Sequence, residues 1–353
     1  MQVNQGLENI IAAETALSHV DGQAGELIIA GWPLNELVKH FDYSRCAIVL
    51  WQSWMPNVNG PELQTKLGQA RLNSFRKLQP FQAQLTSVTA LEALRLGLDL
   101  DAEASDPASI CSALMVSLAL HLGRPVEPDP QAEPITDLLR LCQAGASLDV
   151  DPAYVRALTR YLVSVSDHGL NASTFTARVI ASTGSDLRSC IAGALGALKG
   201  PLHGGAPGPV LDMLDQIGEA QNTNHWIEAE LAAKRRIMGF GHRVYRVRDP
   251  RADVLKETLF QLKVCHALPA LERAQQIEQE ILAILRAHKP DRVLETNVEF
   301  YTALLLDALG FPRDRFTAVF AVGRVLGWIG HVYEQQATGR LIRPQSRYIG
   351  PLP

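Results

Sequence analysis

Between Leu187 and Leu198 the chain carries almost nothing but apolar and small side chains, including the run Ile191-Ala192-Gly193-Ala194-Leu195-Gly196-Ala197-Leu198. A segment with no polar face predicts a helix buried on all sides, and its small residues allow close helix contacts. Gly200-Pro201 then supplies the stop, a glycine past the helix end followed by proline. Such a helix needs others around it. Tyr154 to Val165, Asp253 to Val264 and Ala274 to Ala287 repeat at helical spacing, and Phe316 to Tyr333 is a long helix candidate. Strand signals are sparse. Glu26-Leu27-Ile28-Ile29-Ala30, near Asp21-Gly22 and Gly31, is the best, and such stretches are too few for a parallel sheet. The run Pro125 to Pro134 is the clearest loop.

A chain of 353 residues buries a sizeable core and leaves room for two domains. Its net charge of −4 gives no general attraction to nucleic acid or to an anionic membrane. No apolar run reaches about 18 residues, so no membrane span is expected. Glu8 and Glu14 stand where a secretory signal would carry a basic leader. The five cysteines form no CxxC pair, which argues against a disulfide framework or a zinc site and for a reducing cytoplasm. From about Pro207 to Glu295 charges and helical periods are frequent, consistent with a smaller inserted lobe.

Three histidines stand in glycine-bearing segments: His168 in Asp167-His168-Gly169-Leu170-Asn171, His203 in Gly200-Pro201-Leu202-His203-Gly204-Gly205, and His242 in Gly239-Phe240-Gly241-His242-Arg243. Imidazole moves between donor and acceptor near neutral pH, and flanking glycines let the backbone bring it close to a ligand. Glu299 follows in Asn297-Val298-Glu299-Phe300-Tyr301, with Arg251, Arg324 and Arg343 along the same stretch. Acid, imidazoles and guanidiniums together suit proton abstraction next to a carbonyl, with an anionic partner held by arginine. Arg324 is the most telling, because burying its charge in the apolar Phe320 to Trp328 stretch is costly without an anion. The other histidines, His331 among them, read as structural. Gly239-Phe240-Gly241 lacks the third glycine and the preceding strand of a dinucleotide loop.

These segments resemble, in order, the citrate synthase family. The match runs through Asp167 to Thr174, Leu198 to Gly205, Lys234 to Tyr245, Asp249-Pro250-Arg251-Ala252, Asn297 to Tyr301, Gly323 to Trp328 and Leu341-Ile342-Arg343-Pro344. Gly6-Leu7-Glu8 and Asp21 to Leu27 extend it to the N-terminus, so it covers essentially the whole chain. The resemblance implies an all-α fold. A large helical domain (1–204 and 299–353) would carry a smaller helical domain (205–298) that closes over the active site. It implies a homodimer, with Arg343 contributed across the interface, and no bound metal or permanent cofactor.

The implied reaction condenses acetyl-CoA with oxaloacetate to citrate and CoA, the entry step of the tricarboxylic acid cycle, by an acyltransferase that converts acyl to alkyl on transfer. By the resemblance Glu299 takes a methyl proton, His203 donates to the thioester oxygen, and His242 polarises the ketone. His168, Asn171, Arg251, Arg324 and Arg343 would form the oxaloacetate pocket. Arg235, Arg236, Met238, Gly239 and Gly241 would meet CoA. Two departures stand out. The family's base is aspartate where this chain has Glu299, and Ala206-Pro207-Gly208 replaces its Ala-Asn-Glu. The alternatives are a 2-methylcitrate synthase using propionyl-CoA, and a catalytically weak relative that binds CoA and oxaloacetate.

Overall fold

Helix starts follow local chemistry. The side chains of Asp106, Asn171, Asp186, Asp249 and Asn297 each sit at an N-cap and accept from backbone N–H groups of the first turn. Prolines open the Pro107–His121, Pro152–Ser164, Pro250–Cys265 and Pro269–His288 helices, where their missing N–H costs nothing. The computed structural model describes residues 6–7, 10–143, 149–203, 207–242, 244–289 and 293–352. The fold is all-α, as expected. The described strands form one small antiparallel sheet, Ser18–Asp21, Glu26–Ile29 and Trp32–Pro33, with Ser18 opposite Ile29 and Asp21 opposite Glu26.

At the centre lies the core helix, Phe316–Thr338, five residues longer than its sequence pattern suggests. It packs against the Tyr43–Trp51, Pro107–His121, Pro152–Ser164, Ala172–Ala181 and Leu187–Leu198 helices. With its preceding turn it is long and apolar enough to cross a membrane, beyond what the sequence reading allowed, yet 83% of its apolar window is buried inside the fold. A Cβ on Gly327 would stand 2.3 Å from the Ser166 carbonyl oxygen, so only glycine lets that helix meet the loop before His168.

The Leu187–Leu198 helix has the predicted bounds but is not buried on all sides. Leu187, Cys190, Ile191, Ala194, Leu195 and Leu198 face the core, while Gly196 is exposed. Apolarity here reflects small residues on the outer face, which hydrophobic content alone does not separate from core. The helix enclosed all round is Pro107–His121, where every residue but Ser109 is buried.

The Pro250–Cys265 helix packs on Pro152–Ser164 and on Val298–Ala308, the helix that carries Glu299. Pro207–Ile217 covers another side of the Glu299 helix. The expected domain boundary at 204/205 lies outside the described residues, as do Glu8, Gly204 to Ala206 and Arg243 of the quoted motifs. The other boundary, at 298/299, falls in the first turn of the Glu299 helix.

Candidate active site

The N-terminal hairpin, the start of the Ala172–Ala181 helix, the 234–242 segment and the Glu299 helix enclose a cleft of about 2170 Å³. His168, Asn171, His203, His242, Arg251, Glu299 and Arg324 all line it, although 156 positions separate the first from the last in sequence. Two walls can be distinguished by what holds them.

One wall is built on the core helix and the Ala172–Ala181 helix. Arg324 is buried, its Nε donating to the Val165 carbonyl at 2.6 Å and its guanidinium lying 4.6 Å from the Phe320 ring centre. Burial lowers its pKa to about 10, against the pull of Asp167, so it stays charged at neutral pH. His168 stands edge-on to His242, centroids 5.7 Å apart, with its Nε2 3.1 Å from the Tyr245 hydroxyl. Burial, then Arg251 and Arg324, push His168 well below the usual imidazole range.

His203 follows the helix stop on a turn closed by its N–H to the Gly200 carbonyl at 3.0 Å. Its Nε2 accepts from the Ser173 backbone N–H at 3.3 Å and lies 2.8 Å from the Ser173 hydroxyl. Trp328, from the core helix, donates to that same hydroxyl oxygen at 3.1 Å. With Nε2 occupied as acceptor, the neutral ring carries its proton on Nδ1. Burial, with Arg324 adding, lowers His203 to about 4, so it is neutral at pH 7. Asn171 faces the cleft but spends its Oδ1 capping the helix through Thr174 N–H at 3.1 Å.

The other wall is held by backbone. Phe240 and Thr296 form an isolated antiparallel bridge. Gly241 N–H donates to the Glu295 carbonyl at 2.8 Å, and Asn297 N–H to the Gly239 carbonyl at 2.9 Å. Gly239 and Gly241 have φ of +82° and +77°, a region that favours glycine, so the strip can turn twice around Phe240. The bridge sets His242 beside the N-terminus of the Glu299 helix. His242 Nδ1 accepts from the Val244 and Tyr245 N–H groups at 3.0 and 3.1 Å, leaving its proton on Nε2. Burial, then Arg251, lowers it to about 4. Arg251 Nη2 is 3.4 Å from that Nε2, so two donors converge on one point. An acceptor oxygen between them would satisfy both.

Arg251 is clamped by Asp249 through Nε at 3.0 Å and Nη2 at 2.8 Å. The same carboxylate takes the Val298 N–H at 3.3 Å, one residue before Glu299. Burial alone would raise Asp249; Arg251 and His242 outweigh it and keep the group low. Glu299 is half-buried, and its N–H donates to Asn297 Oδ1 at 3.0 Å. Burial raises its carboxyl to about 7, against the pull of Arg251 and Arg236. A carboxylate there accepts a proton near neutral pH without holding it firmly.

The remaining expected residues divide. Arg236 and Arg235 line the cleft and are exposed, but Arg235 already forks onto Glu230 at 2.8 and 2.6 Å. Gly241 lines it too. Met238 and Gly239 do not. A Cβ on Gly239 would stand 3.1 Å from Phe300, and Met238 packs against the core, because the strip turns its backbone toward residues 295–297. Arg343 is exposed on the extended tail after Thr338, tied down next door by Ile342 N–H to the Ser182 hydroxyl at 3.1 Å, and does not reach this cleft. Sequence reasoning passed over Asp249, Ser173 and Tyr245 as acting groups. The only signal for Asp249 was its place two residues before Arg251.

Residues 6–345 match the family model described as citrate synthase, C-terminal domain. Putative citrate synthase 2 of Mycobacterium tuberculosis is 36% identical over 99% of this chain and 93% of its own length. The 2-methylcitrate synthase of the same species is 30% identical over 99% and 91%. The crystal structure of citrate synthase from Thermotoga maritima superposes with a TM-score of 0.85 at 31% identity, covering 100% of this chain and 97% of that one.

Proposed function

Because the chain belongs to the citrate synthase family, we propose that it condenses acetyl-CoA with oxaloacetate, with Glu299 as the base. The observation that carries this reading is the pair of neutral imidazoles, His203 and His242. Each has one nitrogen filled by backbone donors so that the other carries the proton, and Arg251 Nη2 lies 3.4 Å from that nitrogen of His242. Methyl hydrogens next to a thioester are very weakly acidic, so the base works only where the developing enolate oxygen receives a hydrogen bond. Glu299 removes the proton while His203 donates from Nδ1 to the thioester oxygen. The nucleophilic carbon then attacks the ketone of oxaloacetate, polarised by Nε2–H of His242, which passes its proton to the forming alkoxide. Water hydrolyses the resulting citryl-CoA and releases the free thiol.

His168, Arg251 and Arg324 hold the oxaloacetate carboxylates, a role suited to arginine's planar fork. Arg343 completes that pocket from a second copy of the chain. Its exposure on the tail, away from its own cleft, supports the exchange. Residues 205–298 close over the substrates and exclude water from the enolate step. The exposed Arg235, Arg236 and Lys234 at the cleft mouth suit the phosphates of CoA. Propionyl-CoA as the acyl donor is the second reading, favoured by the likeness to 2-methylcitrate synthase. One methylene is worth only about 1–3 kcal/mol in an acyl pocket.

Purified protein with oxaloacetate is expected to release thiol from acetyl-CoA faster than from propionyl-CoA, and Glu299→Gln to lose about 10²–10⁴-fold in kcat. Faster release from propionyl-CoA would name the other synthase. Oxaloacetate binding without thiol release from either donor would replace the condensing reading with a silent relative.

A further inference from the structure

His331 reads as an ordinary core histidine in the sequence, and the mechanism above does not use it. It lies seven residues after Arg324 on the core helix, two turns on and on the same face. It is fully buried. Its Nδ1 stands 3.0 Å from Arg178 Nη1. A guanidinium only donates, so Nδ1 accepts and the ring presents Nε2–H to Asp167, 3.2 and 3.3 Å from its two oxygens. Arg178 is itself held by Glu334 at 2.5 Å and by Gln335 at 3.0 Å. Asp167 also accepts from the Ser18 hydroxyl at 2.5 Å, and that same oxygen receives the Gly169 N–H at 2.8 Å.

The two neighbours of His168 are therefore tied to one chain of polar groups, the buried Arg178, His331 and Asp167 and the half-buried Ser18. Arg324 meets the same loop two residues before Asp167, its Nε donating to the Val165 carbonyl at 2.6 Å, and Gly327 N–H, three residues on in that helix, donates to the Ser166 carbonyl at 3.1 Å. Apolar residues of similar volume would serve a helix-bundle core as well or better than a buried ionic cluster. What the cluster adds is placement of the 165–169 loop, which carries His168 and accepts from Arg324 at Val165. His203 is held separately, through Ser173 and Trp328.

We propose that His331 is a positioning residue for the dicarboxylate half of the cleft, acting through Asp167 on His168 and Arg324. This rests on the function proposed above, in which those two side chains hold oxaloacetate. The test compares His331→Ala with His331→Gln, whose amide N–H can still reach toward Asp167, by steady-state kinetics and by calorimetric titration with oxaloacetate. His331→Ala is expected to raise KM for oxaloacetate about 10-fold or more, to leave KM for the acyl-CoA within about two-fold, and to be partly rescued in His331→Gln. His331→Leu, which fills the volume without a donor, takes the place of alanine if that variant fails to fold. Equal losses toward both substrates, or an unchanged KM for oxaloacetate, would overturn the proposal while leaving the proposed function intact. Wild-type protein that binds no oxaloacetate would overturn both.

Discussion

Two carboxyl groups, Glu299 lining the cleft and Asp167 buried next to His168 in the chain, have surroundings that push them in opposite directions. Asp167, fully buried, meets His331, Ser18 and the charge of Arg324; burial works against its ionised form, and those partners outweigh it. Glu299, half-buried, has Arg251 and Arg236 nearby, and there burial wins. The contrast extends to the walls themselves. The Asp167 wall is locked by side chains inside a helix bundle. The Glu299 wall is aligned by a backbone bridge and by Asp249, which holds Arg251 and the Val298 N–H together. The carboxyl that stays charged is surrounded by donors. The one whose pKa rises toward neutrality is left under-solvated.

The largest test of this contrast is on stability. Asp167→Asn removes the carboxylate that accepts from His331 and Ser18 inside the core and is expected to cost about 1–3 kcal/mol in denaturant unfolding. Glu299→Gln is expected to act in the opposite sense, stabilising the protein at pH 8 by up to about 3 kcal/mol. The signs follow from linkage. Glu299 has its folded pKa raised to about 7, so its contribution to stability is complete below the unfolded carboxyl value and is lost as pH rises through about 7. Asp167 has its folded pKa lowered, so its contribution is present above the unfolded value and is lost as pH falls through the folded one. Unfolding curves at pH 5 and pH 8 separate the two: the gain from Glu299→Gln shrinks toward pH 5, while the cost of Asp167→Asn persists. Two variants destabilised alike at pH 8 would erase the distinction between the walls.

A smaller effect sharpens it. Ser173→Ala removes the hydroxyl at His203 Nε2 but leaves the backbone N–H in place. It is expected to cost about 0.5–1.5 kcal/mol, roughly ten-fold at most in kcat/KM for the acyl-CoA, with KM for oxaloacetate unchanged. A change confined to oxaloacetate would mean that His203 serves the other half of the site.

Much of this arrangement was legible in the chain. Arg324 in an apolar run announced a buried charge, and it lines one cleft with the glycine-flanked histidines. The helix stop at Gly200-Pro201 placed His203 on its turn. What was hidden depends on distance along the chain. Asp249 looks like a simple helix cap until Val298, 49 positions away, brings its N–H to the same carboxylate. His331 sits among apolar neighbours with no glycine beside it, and its meaning comes from Asp167, 164 positions earlier. Leu187–Leu198 was over-read because small residues on an outer face and on a core face have the same composition. Met238 and Gly239 turned inward because the bridge to Thr296 is a pairing that no local pattern encodes.

The most direct test is the pH dependence of kcat/KM for thiol release from the acyl-CoA, which reports ionisations in the free enzyme. A base must be ionised, so activity is predicted to fall toward acid along a single limb centred near pH 7, set by Glu299. His203 and His242, at about 4, add no limb of their own between pH 5 and 9. A profile that is flat from pH 5 to 9, or whose acid limb survives unchanged in Glu299→Gln, would contradict the assignment of Glu299 as the tuned base of this cleft.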